Sequence, residues 1–184
     1  MWIYEKKLQY PVKIANPNPK LAGMIITALG GPDGETGAAM RYLNQRYNMP
    51  DGRVVAVLTD VGSEELGHCE MVASIVYQLT RNLTPAEIKA GGFDKYYVDH
   101  GVGIYPASAE GVPFNAMAFA SKGDPLADIH EDLAAEQKAR AMYDAILRLS
   151  DDPDVNDAIK FLRQREVVHF QRFGEAMRIL QEGK

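Results

Sequence analysis

Cysteine is nearly missing: Cys69 is the single one in 184 residues. A disulfide within the chain is therefore impossible, and no cysteine-based zinc or iron–sulfur motif can be built. A reducing, intracellular setting is the expectation. Long apolar runs are missing too. No stretch approaches the ~18–20 apolar residues that a membrane-spanning helix needs. The opening MWIYEKKLQYPVKI mixes charge with apolar residues where a signal peptide would carry an unbroken apolar segment. Synthesis in the cytoplasm without a signal peptide is expected, with no membrane partner. Positive charge is not in excess: 20 Lys and Arg face 25 Asp and Glu, a formal net charge of −5. No basic run forms a phosphate-binding stripe, so nucleic acid is not an expected partner.

What is present suits one domain over 1–184, long enough to bury a sizeable core. Residues 1–16 read as an extended arm, with Pro11 and alternating Val12 and Ile14 suiting a strand or a surface strap. Asn18-Pro19 is a helix start, and the helical pattern runs to about Leu29. Gly30 to Gly34 (GGPDG) interrupts it before it resumes from Glu35 to about Tyr47. A second helix covers roughly Arg53 to Thr80. The third and fourth begin at Asp124-Pro125 and Asp152-Pro153, the same cap-then-proline signal used twice, and end near Ser150 and Gln181. Residues 81–123 hold a capping-box start at Thr84 and then a stretch rich in Gly, Pro and aromatics. That stretch carries too much apolar surface for a disordered linker and reads as a crossover. The fold class is all-α: a ferritin-like four-helix bundle with one long crossover between the second and third bundle helices.

The chemistry lies on the inward stripes. Alternating steps of three and four give Leu58, Val61, Glu65, His68, Val72, Ile75 and Leu79 on the second helix. The fourth gives Leu162, Glu166, His169, Phe173, Ala176 and Leu180. The third gives Leu126, Ile129, Leu133, Glu136, Arg140, Tyr143 and Leu147. The first, through its break, gives Leu21, Ile25, Ala28, Glu35, Ala39 and Tyr42. Each stripe is apolar except near its middle, where acids and imidazoles appear. Glutamate is almost never buried unless something pairs with it, and two divalent cations match the charge of four carboxylates. Glu65-x-x-His68 and Glu166-x-x-His169 put each pair on one helix face, and Glu35 and Glu136 add one carboxylate each. That combination is the di-iron or di-manganese pattern, and its ligand types favour Mn, Fe or Zn. Singly, each residue has a blander reading: His68 as a hydrogen-bonded core histidine, Glu136 as an acid paired with Arg140, Glu35 as a first-turn acid favoured by the helix dipole. Tyr42 and Tyr143 are expected to pack in the core, with a hydrogen bond to a ligand carboxylate as the functional alternative. Glu64 and Glu70 fall off the stripe and are expected in solvent. Cys69 is assigned to packing, and His100 and His130 to the surface or loops.

The segments GGPDGETGAAMRYLNQRY, EELGHCEM, ADIHEDLAAEQKARAMYDAI and DDPDVNDAIKFLRQREVVHF resemble the four metal-binding segments of manganese catalases. The opening segment and the short length resemble the spore-coat branch of that family. The resemblance implies two manganese ions per chain, bridged by solvent oxygens, with iron able to substitute. It implies one manganese on Glu35, Glu65 and His68, and a second on the shared Glu65 with Glu136 and His169. Glu166 is similar to a family residue that stays off the metals and accepts protons. Arg140 is the candidate for a basic residue that some members place beside the site. The implied reaction is disproportionation of hydrogen peroxide, the metals cycling between Mn(II) and Mn(III). The resemblance implies a homo-oligomer, hexamer or dimer; full-length family members carry a C-terminal extension that wraps neighbouring subunits, and this chain stops at Lys184 just after the fourth helix, which weakens the expectation of the family's compact hexamer. A spore-coat location is implied, with other coat proteins as partners. Two alternatives stay open: a structural coat component that keeps the dimetal site, and a di-iron oxidase or peroxidase of the wider ferritin-like group.

Overall fold

A computed structural model describes residues 3, 5, 7–98 and 103–183. Part of the expected arm (residues 1, 2, 4 and 6) and His100 lie outside the described residues. The bundle is built from α1 (Pro19–Ile25), α2 (Thr27–Gly30), α3 (Glu35–Gln45), α4 (Gly52–Thr80), α6 (Pro125–Leu149) and α7 (Pro153–Glu182), with α5 (Pro85–Ala90) in the crossover. The starts follow local chemistry. Asn18, Asp51, Asp124 and Asp152 each accept a hydrogen bond from a first-turn backbone N–H, which satisfies donors the helix cannot. Thr84 and Glu87 close the capping box of α5. No strand forms among the described residues. Val12 and Ile14 are buried as a strap: Gln78 donates to the Val12 carbonyl at 2.9 Å and accepts from the Ile14 N–H at 2.8 Å.

Two apolar clusters fill the bundle, one toward each end. The first joins Leu21 and Ile25 to Val72, Ile75 and Leu79 of α4, Tyr143 and Ile146 of α6, and Val155, Ile159 and Leu162 of α7. The second joins Tyr42 of α3 to Val54, Leu58 and Val61 of α4, Ile129 of α6, and Phe173, Ala176 and Leu180 of α7. The chain therefore meets the clusters in opposite order on α4 and α7, so those helices run antiparallel. By the same test α4 and α6 run parallel. The crossover must then return the full length of the bundle, which is why it is long. Phe93, Tyr96 and Ala107 of the crossover are buried in the first cluster.

The GGPDG break is shaped by close approach. A Cβ on Gly30 would lie 2.2 Å from the Ala107 backbone nitrogen and 2.3 Å from the Pro106 carbonyl carbon. Crossover backbone thus seats directly on this glycine and fixes where α3 restarts with Glu35. Gly30→Ala is expected to destabilise the protein by ~1–3 kcal/mol through overpacking. Gly174→Ala, at an exposed helix-interior position with nothing within 4 Å of its Cβ, is expected to stabilise by ~0.5–1 kcal/mol. Thermal midpoints of the two variants should move in opposite directions.

Candidate metal centre

Between the two apolar clusters lies a polar layer. Glu35, Glu65, Glu136 and Glu166 are at most 2% exposed, and His68 and His169 at most 1%. Helix spacing places them. The i, i+3 step sets each histidine beside the glutamate of its own helix, and the restart at Glu35 puts that carboxylate in the first turn of α3, where the helix dipole favours negative charge.

Glu65 is the hub. Its Oε2 lies 2.7 Å from His68 Nδ1 and its Oε1 lies 2.9 Å from His169 Nδ1. Glu35 Oε2 approaches His68 Nδ1 at 3.7 Å, and Glu136 Oε2 approaches His169 Nδ1 at 3.5 Å. Glu166 Oε1 stands 3.9 Å from His68 Nδ1. The imidazoles are near-parallel, with centroids 5.4 Å apart at 21°. Ligand atoms of Glu65, His68, Glu166 and His169 lie within 4.8 Å of one another. Tyr42 donates to Glu136 Oε1 at 2.5 Å, and Tyr143 donates to Glu35 Oε1. Both oxygens of Glu65, Nδ1 of each histidine, Glu136 Oε2 and Glu166 Oε1 have no hydrogen-bond partner despite full burial. A folded protein rarely leaves so many buried polar atoms unmatched in one layer, and oxygen and imidazole donors converging there suit divalent cations.

The model of the manganese-containing catalase family matches residues 1–184. The chain belongs to the manganese catalase family. It is 53% identical over 182 residues to protein CotJC of Bacillus subtilis, covering 99% of this chain and 96% of that one. It is 33% identical over 179 residues to a probable manganese catalase of Clostridium acetobutylicum, covering 96% of this chain and 80% of that one. The crystal structure of KatB, a manganese catalase from Anabaena, superposes with a TM-score of 0.88 at 28% identity, over 98% of this chain and 81% of KatB. The ferritin-like helical bundle is thus the fold of a manganese catalase.

Charge in this layer is balanced by protons when no cation is bound. Burial pushes the Glu35 carboxyl up to about 7, and the Glu65 charge adds to the rise. Burial lifts Glu166 well above the carboxylate range, reinforced by Glu35 and Glu136, and it raises Glu136 as well. Burial also opposes ionisation of Glu65, but the His169 and His68 cations outweigh it and hold that carboxyl below its ordinary value. For the imidazoles burial favours the neutral ring, yet the Glu65 carboxylate dominates: His169 rises to about 12 and His68 well above its usual value. Burial keeps the Tyr42 and Tyr143 phenols protonated, so they remain donors.

The expected residues divide into those the fold assembles and one it does not. Glu35, Glu65, His68, Glu136, Glu166 and His169 share the layer, with Tyr42 and Tyr143 bonded to its carboxylates. Arg140 points away: it is part-exposed and donates to Asp144 at 2.7 Å and Gln137 at 3.0 Å. Glu64 corrects a second expectation. It is only 16% exposed in its side chain, and it faces Nε2 of both histidines, at 3.5 Å for His68 and 3.2 Å for His169. Arg165 is bonded to Glu64, so the basic residue beside the layer comes from α7 rather than α6. Among the described residues, Asp128 and Asp132 of α6 are also buried, off the stripe expected there. The i, i+4 relation of Glu64 to His68 was the available signal. Cys69 is part-buried near Thr36 and packs against the first cluster, while His130 is exposed on α6.

Proposed function

We propose that this chain is a dimanganese catalase that disproportionates hydrogen peroxide to water and dioxygen. One observation carries the proposal: Glu65 lies between the Nδ1 atoms of two buried histidines, inside a layer of four buried glutamates. Its two oxygens point to different histidines, as a carboxylate shared by two metals would. Glu35 and His68 would complete one metal, and Glu136 and His169 the other; iron could occupy the same donors. The ions, when bound, would supply the paired electron changes by which one peroxide is reduced and the next oxidised.

The protein's own part is positioning and proton handling. Tyr143 and Tyr42 fix the Glu35 and Glu136 carboxylates by donating to one oxygen of each, leaving the other for a metal. The apolar clusters on both sides keep bulk water from the layer. Glu166 is left to hold at Oε1 one of the two protons that a peroxide gives up with its two electrons on oxidation, and to return it to the peroxide that is reduced, the second proton passing to solvent. Burial of Glu166 raises it well above the carboxylate range, which suits a carboxyl that takes up a proton rather than one that stays ionised. The resemblance to the spore-coat branch, together with 53% identity to CotJC, supports a coat location and assembly with further copies or coat proteins. It also supports a second reading, a structural coat component that retains the metals.

Protein from manganese-grown cells is expected to carry about two manganese per chain and to release oxygen steadily from hydrogen peroxide. Glu166→Gln is expected to keep both ions and lose oxygen release by ~10²–10⁴-fold, the usual scale for a lost acid–base group. Metal without oxygen release from the unaltered chain would favour the structural coat role. Loss of an ion from Glu166→Gln would make Glu166 a ligand instead of a proton acceptor. No stoichiometric metal after reconstitution would sink the proposal.

A further inference from the structure

We propose that Glu64 is a positioning residue for both histidines at once, a single outer carboxylate that aims the two imidazoles at their metals. This rests on the dimetal function proposed above. The two stacked rings are held between consecutive glutamates of α4. Their Nδ1 atoms face Glu65, and their Nε2 atoms face Glu64. Neighbouring positions on a helix point ~100° apart, so the pair of acids reaches around opposite sides of the histidines. Among the described residues, Glu64 is the sole carboxylate paired with either Nε2 atom.

Each Glu64 oxygen has its own imidazole: Oε1 faces His68 and Oε2 faces His169. The far side of the same carboxylate is gripped by a fork, with Arg165 Nε donating to Oε1 at 2.6 Å and Nη2 donating to Oε2 at 3.0 Å. Gln9 of the N-terminal arm donates to Oε1 at 2.7 Å. The arm is itself anchored there, since Tyr10 stacks on Phe161 at 4.8 Å and donates to Asp157 at 2.8 Å. A carboxylate that accepts from Nε2–H fixes the tautomer in which Nδ1 carries the lone pair for a metal. Because one carboxylate serves both rings, its loss disturbs both metals together. Through Gln9, docking of the arm becomes part of the geometry of the site.

The test is the Mn(II) affinity of metal-free protein, titrated in competition with a chelator of known strength, alongside the thermal midpoint of the same metal-free sample. In Glu64→Gln the amide N–H₂ faces one imidazole N–H, donor against donor. Affinity for both ions is expected to fall by ~10–100-fold; the metal-free midpoint falls too, because Arg165 and both imidazoles lose their carboxylate, so affinity is compared at a temperature where both metal-free proteins are folded. Glu70→Gln, an exposed acid on the same helix, is expected to bind as the unaltered protein does. Arg165→Met keeps the carboxylate and removes its fork; a smaller loss in the same direction is expected, and this variant decides the matter if Glu64→Gln does not fold. Two ions bound as tightly in Glu64→Gln as in the unaltered protein, or a loss confined to one ion, would overturn the shared role. Failure of the unaltered protein to bind two ions would overturn the dimetal function on which it stands.

Discussion

Stripped of metal, the protein is expected to lose stability as the pH rises between about 5 and 9, whereas the stabilisation it gains from manganese is expected to grow over that range. The two trends share one cause. Glu35 in the folded chain holds its proton up to about 7 against an ordinary value of 4.5, so its contribution is complete below 4.5 and is lost toward 7. His169, raised from 6.5 to about 12, contributes fully below 6.5 and progressively less above it. Glu65 and Glu64 are shifted downward, so their contributions are already complete above 4.5 and add no slope here. Manganese needs those same groups deprotonated, so its binding releases protons and tightens with pH. At a hundredfold excess over Kd, each ion stabilises by ~2.7 kcal/mol. Two ions should then raise the midpoint of a chain this size by roughly 10–20 °C. Scanning calorimetry of chelator-treated and reconstituted samples at several pH values checks this. A metal-free midpoint that climbs with pH, or a manganese shift of equal size at both ends of the range, would contradict it.

Glu65→Gln should remove both ions from the protein, and no other single glutamate should do so. The substitution keeps the side chain's volume and withdraws the charge between the two Nδ1 atoms. Glu35→Gln and Glu136→Gln should each cost one ion, because Glu35 stands with His68 and Glu136 with His169. The effect of Glu65→Gln on affinity should exceed the ~10–100-fold that outer partners of a metal site supply. Metal content per chain by mass spectrometry separates the cases. Glu65→Gln protein that still carries two manganese would remove Glu65 as the shared ligand, and Glu35→Gln protein that carries none would break the pairing of acids with histidines.

Much of this arrangement could be read from the chain itself, because periodicity and capping are local signals. The stripes of the first, second and fourth bundle helices are buried residue for residue as expected, from Leu21 to Tyr42, Leu58 to Leu79 and Leu162 to Leu180. The third helix shows where local signals stop. Its expected stripe took Leu126, Leu133, Arg140 and Leu147, yet Asp128 and Asp132 are buried while those four stay part-exposed. Asp128 is tolerated inside because it accepts from the Lys122 and Gly123 backbone N–H groups at 2.6 Å and 3.0 Å. Burial pushes the Asp132 carboxyl well above its ordinary value, with Gln45 and then Arg41 of α3 pulling against it. None of these partners lies on α6, so its own sequence gives no warning. Glu64 is the same case at longer range, its charge matched by Arg165 and its Oε1 bonded by Gln9, both from distant parts of the chain. Arg140 was misplaced for a nearer reason. Asp144 one turn on and Arg163 of α7 form a surface ion network with it, an i, i+4 pair that periodicity alone does not reveal.

All five residues proposed to meet the metals, and Glu166 beside them, come from helices and none from residues 81–123, although that crossover spans the whole bundle and seats on Gly30. Assembly of the centre is thus mechanically decoupled from most of the loop's length. The entropy of closing a loop grows only slowly with added residues. Segments inserted beyond the Gly30 contact would alter the outer wall and the approach to the polar layer without shifting its glutamates and histidines. A chain that covers 80% of a probable manganese catalase and 81% of KatB shares their fold over that span and can differ from them in its exterior.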